Sequence, residues 1–121
     1  MKILVSDPIS ESGLKIIEEY GFEVIYLPKG TQKEKKKASR NVNGWIIRSG
    51  TKLNSEAIAK TENLQVIGRA GVGVDNIDIR ESTRRGVVVL NTPDSNTISA
   101  AEHTMGLLLT ISRNIHLGHM G

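Results

Sequence analysis

No cysteine occurs in the 121 residues, which excludes disulfides, a thiolate metal site and a thiol nucleophile. Aromatic residues make up only 3%, too few for the base-stacking platforms on which single-stranded nucleic acids are held. Histidine is scarce: His103 lies in a helical stretch, and His116 and His119 lie in the C-terminal tail. No Ser-His-Asp arrangement or His-Glu-x-x-His pattern is present, and no pair of carboxylates stands out for acid–base work. The spacing of His116 and His119 is the only hint of a metal ligand pair; it reads as a frayed tail, and no metal site is expected. No apolar run approaches the roughly 20 residues of a membrane span. Met1–Asp7 runs straight into a strand pattern, so no signal peptide is expected. Charge of one sign is also in short supply: the net charge is +3. Much of it sits in Lys33, Lys35, Lys36 and Lys37, which read as a solvated helix face. These absences point to one soluble, cytoplasmic domain with no nucleic-acid or membrane partner.

What is present is alternation. Lys2–Ser6 and Phe22–Tyr26 read as strands on either side of a helix whose apolar stripe is Leu14, Ile16, Ile17 and Tyr20. Ser10 and Gly13 flank the start of that helix, and Gly21 stops it. A polar, lysine-rich helix leads to a third strand at Trp45–Ile47. Asn54 or Ser55 suits the cap of a short helix with Ala57 and Ile58. Leu64–Ile67 and Val87–Leu90 read as strands four and five, separated by a short helix over Ile77–Arg85. Thr97–Arg113 is the longest helix. Strands alternating with helices imply a parallel sheet covered on both faces. The near-continuous Ile, Val and Leu of the strands fit such cover. Five units of this kind predict a doubly wound, flavodoxin-like sheet of order 2-1-3-4-5.

Parallel sheets of this class bind ligands at the carboxyl ends of their strands, and three of those ends are polar here. Strand three ends in Arg48-Ser49-Gly50-Thr51-Lys52. Strand four ends in Gly68-Arg69-Ala70-Gly71-Val72-Gly73. Strand five ends in Asn91-Thr92-Pro93-Asp94-Ser95-Asn96-Thr97. Arg48 and Arg69 offer guanidinium forks for a carboxylate or phosphate. The N–H groups of Val72 and Gly73 offer an anion cradle that needs no side chain. Asn96 offers a donor and an acceptor. Each has a bland alternative: Arg48 as a surface ion pair, the glycines as a sharp strand-to-helix turn, Asn91, Asp94 and Ser95 as turn and cap residues. The convergence of all three strand ends favours a small-anion site.

Gly71-Val72-Gly73-Val74-Asp75-Asn76 also imitates a dinucleotide fingerprint, with Asp94 at a plausible distance downstream. Asn76 stands where the third glycine belongs, and Asp75 lies beside the place a pyrophosphate would take. The following helix is short and polar. Binding of a dinucleotide directly in this loop is therefore not expected.

In order along the chain, Arg48-Ser49-Gly50-Thr51-Lys52, Leu64 to Asp78, Gly86 to Pro93, Ser95-Asn96-Thr97 and Ala101-Glu102-His103-Thr104 resemble the N-terminal part of the D-isomer-specific 2-hydroxyacid dehydrogenases. The likeness is closest to the D-3-phosphoglycerate dehydrogenase branch and covers nearly the whole chain. It implies a two-domain NAD enzyme whose substrate domain is flavodoxin-like and whose active site lies between the domains. By this resemblance Val72 and Gly73 would hold the substrate carboxylate through their N–H groups. Arg48, Arg69, Ser49 and Lys52 would face its phosphate side. Val72 would touch the nicotinamide end of NAD, and Asn96 and Thr97 would line the same cleft.

The family's Gly-x-Gly-x-x-Gly loop for NAD, its substrate-binding arginine and its glutamate–histidine pair have no counterparts in these residues, and His103 matches a helix motif rather than the acid–base histidine. The sequence thus reads as residues 1–121 of a substrate domain without its nucleotide-binding domain, holding no catalytic residue of its own and binding NAD weakly at most. It would accept a small phosphorylated or carboxylate substrate and self-associate through the 97–113 helix. A free-standing small-anion binding or regulatory module is the alternative reading.

Overall fold

The structure, a computed structural model, describes residues 1–73 and 75–120, with side chains described as far as residue 112. The elements are β1 (Lys2–Val5), α1 (Glu11–Glu19), β2 (Glu23–Tyr26), α2 (Gln32–Ser39), β3 (Gly44–Ile47), α3 (Ser55–Ala59), β4 (Val66–Ala70), α4 (Ile79–Arg84), β5 (Val88–Thr92) and α5 (Thr97–Met120). The strands form one sheet in the order β2-β1-β3-β4-β5, and every neighbouring pair is parallel. This is the doubly wound arrangement that the alternation predicts.

Strand pleating sends successive side chains to opposite faces, and two cores result. Ile3, Val5, Ile46 and Val66 face α1 and α5, where they meet Ile17, Ala101, Met105 and Leu108. Leu4, Trp45, Ile47 and Ile67 face the other way, onto Ala57 and Ile58 of α3, with Ala38 of α2 packed against them. β3 and β4 are central and buried throughout; β2 and β5 are edges and only partly covered.

Local chemistry sets the helix starts. The side chains of Ser10, Asn54 and Asp78 accept the backbone N–H three residues on at α1, α3 and α4. The lysine-rich α2 has almost no apolar face, yet Thr31 and Glu34 close a reciprocal capping box at its start. Lys36 and Lys37 lie in its last turn, where cations complement the helix dipole.

Several boundaries differ from the sequence reading; α5, for one, runs to Met120 rather than Arg113. β4 starts at Val66 and runs through Ala70, so Gly68 and Arg69 lie in the strand and not in the loop. Gly68 belongs there because Thr104 of α5 sits directly over it, in the space a Cβ would take. Ile77 precedes α4 and pairs instead with Leu53 in a short parallel bridge. β5 extends to Thr92, so Asn91 is a strand residue. Among the described residues, no helix is long and apolar enough to cross a membrane.

Candidate functional site

The polar carboxyl ends of the strands do converge, and a continuous set of hydrogen bonds joins them. At its origin is Asp7, just past β1 and almost fully buried. Its Oδ2 accepts the backbone N–H of Arg48 at 2.7 Å and that of Thr51 at 3.0 Å, and its Oδ1 accepts the Thr51 hydroxyl at 2.9 Å. The β3–α3 loop is thus folded around one carboxylate. Gly50 permits the approach, since a Cβ there would lie 2.7 Å from Asp7 Oδ1.

Behind Asp7 runs a directed chain. The Trp45 indole N–H donates to Ser6 Oγ at 2.8 Å, and Ser6 and Thr51 share a hydrogen bond of 2.8 Å. An indole only donates and a carboxylate only accepts. With the Thr51 proton on Asp7, Ser6 must donate to Thr51, and the chain runs one way, from Trp45 to Asp7.

Asn76 carries the connection to the glycine loop. Its Nδ2 donates to the carbonyls of Arg48 at 2.8 Å and Thr51 at 2.6 Å. Its Oδ1 accepts Arg69 Nε at 2.6 Å. Arg69 is itself buried, and its Nη1 donates to the carbonyls of Val72 at 3.0 Å and Gly73 at 2.9 Å. The guanidinium therefore fills the loop from within. Gly71 is required here: a Cβ would meet Arg69 Nη1 at 2.6 Å, and its φ of 151° favours glycine.

These carbonyls fix where the loop's donors point. A trans peptide holds its C=O and the following N–H on opposite sides, and no cis bond occurs among the described residues. With the Val72 carbonyl turned in to Arg69, the Gly73 N–H is turned outward. Val72, 78% exposed, marks the outer tip. The loop continues to β5 through Gly71 N–H, which donates to the Thr92 carbonyl at 3.0 Å.

Beyond β5, Asn96 is exposed, and its Oδ1 accepts the N–H groups of Ile98 at 2.9 Å and Ser99 at 3.2 Å. It is thus the cap of α5. Its acceptor is committed to the helix, and its amide Nδ2 is what it can offer a ligand. The Thr97 hydroxyl lies 2.8 Å from that of Ser10, tying the start of α5 to the start of α1. Arg48 is exposed at its side chain and reaches the Pro8 carbonyl at 3.3 Å through Nη1. Ser49 and Lys52 are exposed. Lys52 lines two neighbouring grooves, one of about 460 Å³ with Asp75, Asn76 and Asp78, and one of about 280 Å³ with Lys35, Lys36, Trp45 and Thr51.

The loop is poorly shaped for a pyrophosphate. The third-glycine position is occupied by the bridging Asn76 side chain. The helix that follows has only six residues and is capped by the Asp78 carboxylate. The residues present therefore do not form a dinucleotide site in this loop. Among the described residues, two ionisable groups are displaced from their ordinary values, and neither lies on these loops. A hydrogen bond from Lys60, then its charge and that of Lys36, lower the Glu56 carboxyl. A hydrogen bond to Glu81 and its charge raise Arg84. Among the described residues, no three potential metal ligands lie together; the His116 and His119 side chains fall outside the described residues.

The sequence reading missed Ser6, Asp7, Trp45 and Thr51, and took Asn76 only as a missing glycine. Burial is what distinguishes them. The one available signal for Asp7 was its place at the carboxyl end of strand one, which, like the end of strand two, was not among the three strand ends singled out from sequence.

Comparison with known proteins identifies the family. The sequence model described as "D-isomer specific 2-hydroxyacid dehydrogenase, catalytic domain" matches residues 3–115. A D-3-phosphoglycerate dehydrogenase of Methanocaldococcus jannaschii is 49% identical over 115 residues, 95% of this chain and 22% of the relative. One of Archaeoglobus fulgidus is 44% identical over the same shares. The chain thus spans about a fifth of the length of these relatives. The crystal structure of 3-phosphoglycerate dehydrogenase of Entamoeba histolytica with bound NAD+ superimposes with a TM-score of 0.68 at 38% identity, covering 77% of this chain and 33% of that one. The family model's span, residues 3–115, reaches all five strands and takes in every loop described above, and the chain belongs to the D-isomer specific 2-hydroxyacid dehydrogenase family.

Proposed function

We propose that these residues form the substrate-holding part of an NAD-dependent D-2-hydroxyacid dehydrogenase whose substrate is D-3-phosphoglycerate, the entry step from that acid toward serine. The observation that carries this is the arrangement of the glycine loop. Arg69 turns its carbonyls inward, the Gly73 N–H faces out, and Arg48 and Lys52 stand on the adjoining loop. An outward main-chain donor at the exposed tip of the loop suits a carboxylate, and cations beside it suit a second anionic group on the same small molecule. Substrates without a phosphate would leave those cations unused.

NAD supplies hydride acceptance, and the dinucleotide would be held by chain outside these residues, since the glycine loop does not fit it. What this chain does is bind and orient. It holds the carboxylate end on the Val72–Gly73 edge, the Asn96 amide and Thr97 border the same space, and Val72 and Thr97 are the residues that would contact the cofactor. The 121 residues alone are inert as a dehydrogenase. Leu109 of α5 is 43% exposed, and the isolated chain self-associates through that helix.

A titration followed by NMR amide shifts tests the assignment. 3-Phosphoglycerate is expected to shift the amides of Arg48, Val72, Gly73 and Asn96 saturably, and NADH is expected to leave them unmoved. Equal shifts with phosphoglycerate and D-lactate would remove the phosphate assignment. Saturable NADH shifts over residues 71–76 would overturn the exclusion of the dinucleotide from this loop.

A further inference from the structure

We infer that Asn76 is a positioning residue: its one amide locks the β3–α3 and β4–α4 loops into a single rigid anion-holding unit. The inference rests on the substrate reading above for what the unit holds, but not for the unit itself. Asn76 Nδ2 spends both its protons on the β3–α3 loop, at Arg48 and Thr51, and its Oδ1 takes the Nε proton of Arg69. Its backbone completes the joint, because the Asn76 carbonyl accepts Leu53 N–H at 2.7 Å and Asp78 N–H donates back to the Leu53 carbonyl at 2.8 Å.

Aspartate, alanine and glycine each fail one side of this joint. Aspartate keeps the Arg69 bond but turns an oxygen toward two carbonyl oxygens now 2.6–2.8 Å from Nδ2. Alanine leaves Arg69 Nε and both carbonyls without their partner. Glycine, the fingerprint residue at this position, has no side chain to bridge with. The position that departs from the dinucleotide pattern is thus the one that ties Arg48 to the Gly71–Gly73 edge. Asn76 touches no substrate atom itself. It fixes the separation between the guanidinium-bearing loop and the outward N–H edge, and so the length of molecule that can satisfy both.

The test uses this chain with Asn76→Asp and Asn76→Ala, and Thr31→Ala, which removes a remote helix cap, as control. Amide exchange is read first, without ligand. In both Asn76 variants the Arg48 and Thr51 amides, held by Asp7, and the Gly71 amide, held by Thr92, are expected to exchange at least tenfold faster together. Amides of β1 and α1 keep their protection, and Thr31→Ala changes none of the three. Loosening of one loop without the other would overturn the joint.

3-Phosphoglycerate is then titrated. Both Asn76 variants are expected to weaken binding tenfold or more with the far-UV circular dichroism of the wild type. Weakening in Asn76→Asp alone would mean simple charge repulsion and would overturn the positioning role. If the wild-type chain binds no phosphoglycerate, the substrate reading fails while the exchange result still decides the joint.

Discussion

Asp7 and Thr51, 44 residues apart in sequence, are joined twice: Asp7 Oδ2 accepts the Thr51 N–H and Oδ1 accepts the Thr51 hydroxyl. The pair is buried on both sides and terminates the one-way chain from Trp45. Asp7→Asn puts an NH2 where the Thr51 proton now goes, so that hydroxyl loses its charged acceptor and has to turn its proton back on Ser6, against the direction of the chain. Hydrogen bonds to charged groups contribute about 1.5–3 kcal/mol each, so urea unfolding should show a loss of about 3 kcal/mol. Thr51→Val removes the hydroxyl alone and should cost about 1–2 kcal/mol. The double variant should lose less than the sum, because both act on one network.

Gly68 and Thr104 form a second dependent pair. Gly68→Ala places a methyl against the Thr104 side chain in the middle of the sheet, and overpacking of this kind costs about 1–3 kcal/mol. Thr104→Ala clears that space, and its lost hydroxyl is a buried group with no partner among the described residues. Combined, Gly68→Ala and Thr104→Ala should be more stable than Gly68→Ala alone. Thermal unfolding of the set checks this, and a double variant weaker than Gly68→Ala would refute it.

Asn96 separates capping from ligand contact. Asn96→Ala removes the α5 cap and should cost about 1 kcal/mol. Asn96→Asp keeps an oxygen for Ile98 and Ser99 and should unfold within a few tenths of a kcal/mol of wild type. The aspartate has no amide proton to offer, however. Phosphoglycerate binding, measured by calorimetry, should fall in both variants, while stability falls only in the alanine one.

Glu56, on α3, supplies a pH test outside the hydrogen-bonded loops. Its carboxyl titrates below the ordinary range because Lys60 hydrogen-bonds to it at 3.0 Å. A lowered folded value means that the pairing favours folding above the unfolded carboxyl value and is lost as the pH falls through the folded one. The group is fully exposed, so the contribution is small. Lys60→Ala should return the Glu56 titration, followed by carboxyl carbon NMR, toward the ordinary range.

Sequence patterns carried the sheet because alternation of apolar strands and capped helices is a local signal. Ser10 and Asn54 could be read as caps from their spacing alone. The Arg48, Gly71–Gly73 and Asn96 strand ends were legible because polar residues after apolar runs are conspicuous. Arg69 was legible as a cation but not in its place. Whether a guanidinium points out to a ligand or in to its own loop depends on Asn76, seven residues away, and on burial that no window of sequence reports. Asp7 was hidden for the same reason, since its partners lie more than 40 residues downstream. Gly68 looked like loop because its reason for being glycine is Thr104, on another element.

The inward turn of Arg69 has a kinetic consequence. A guanidinium packed beneath the Gly71–Gly73 turn makes a floor that is already in place before any ligand arrives, while Val72 stands open above it. An anion landing on such a shelf meets no reorganisation and nothing that delays its escape. On the proposed function, capture on these loops should be fast and short-lived, and a long residence time would have to come from whatever closes over the open side.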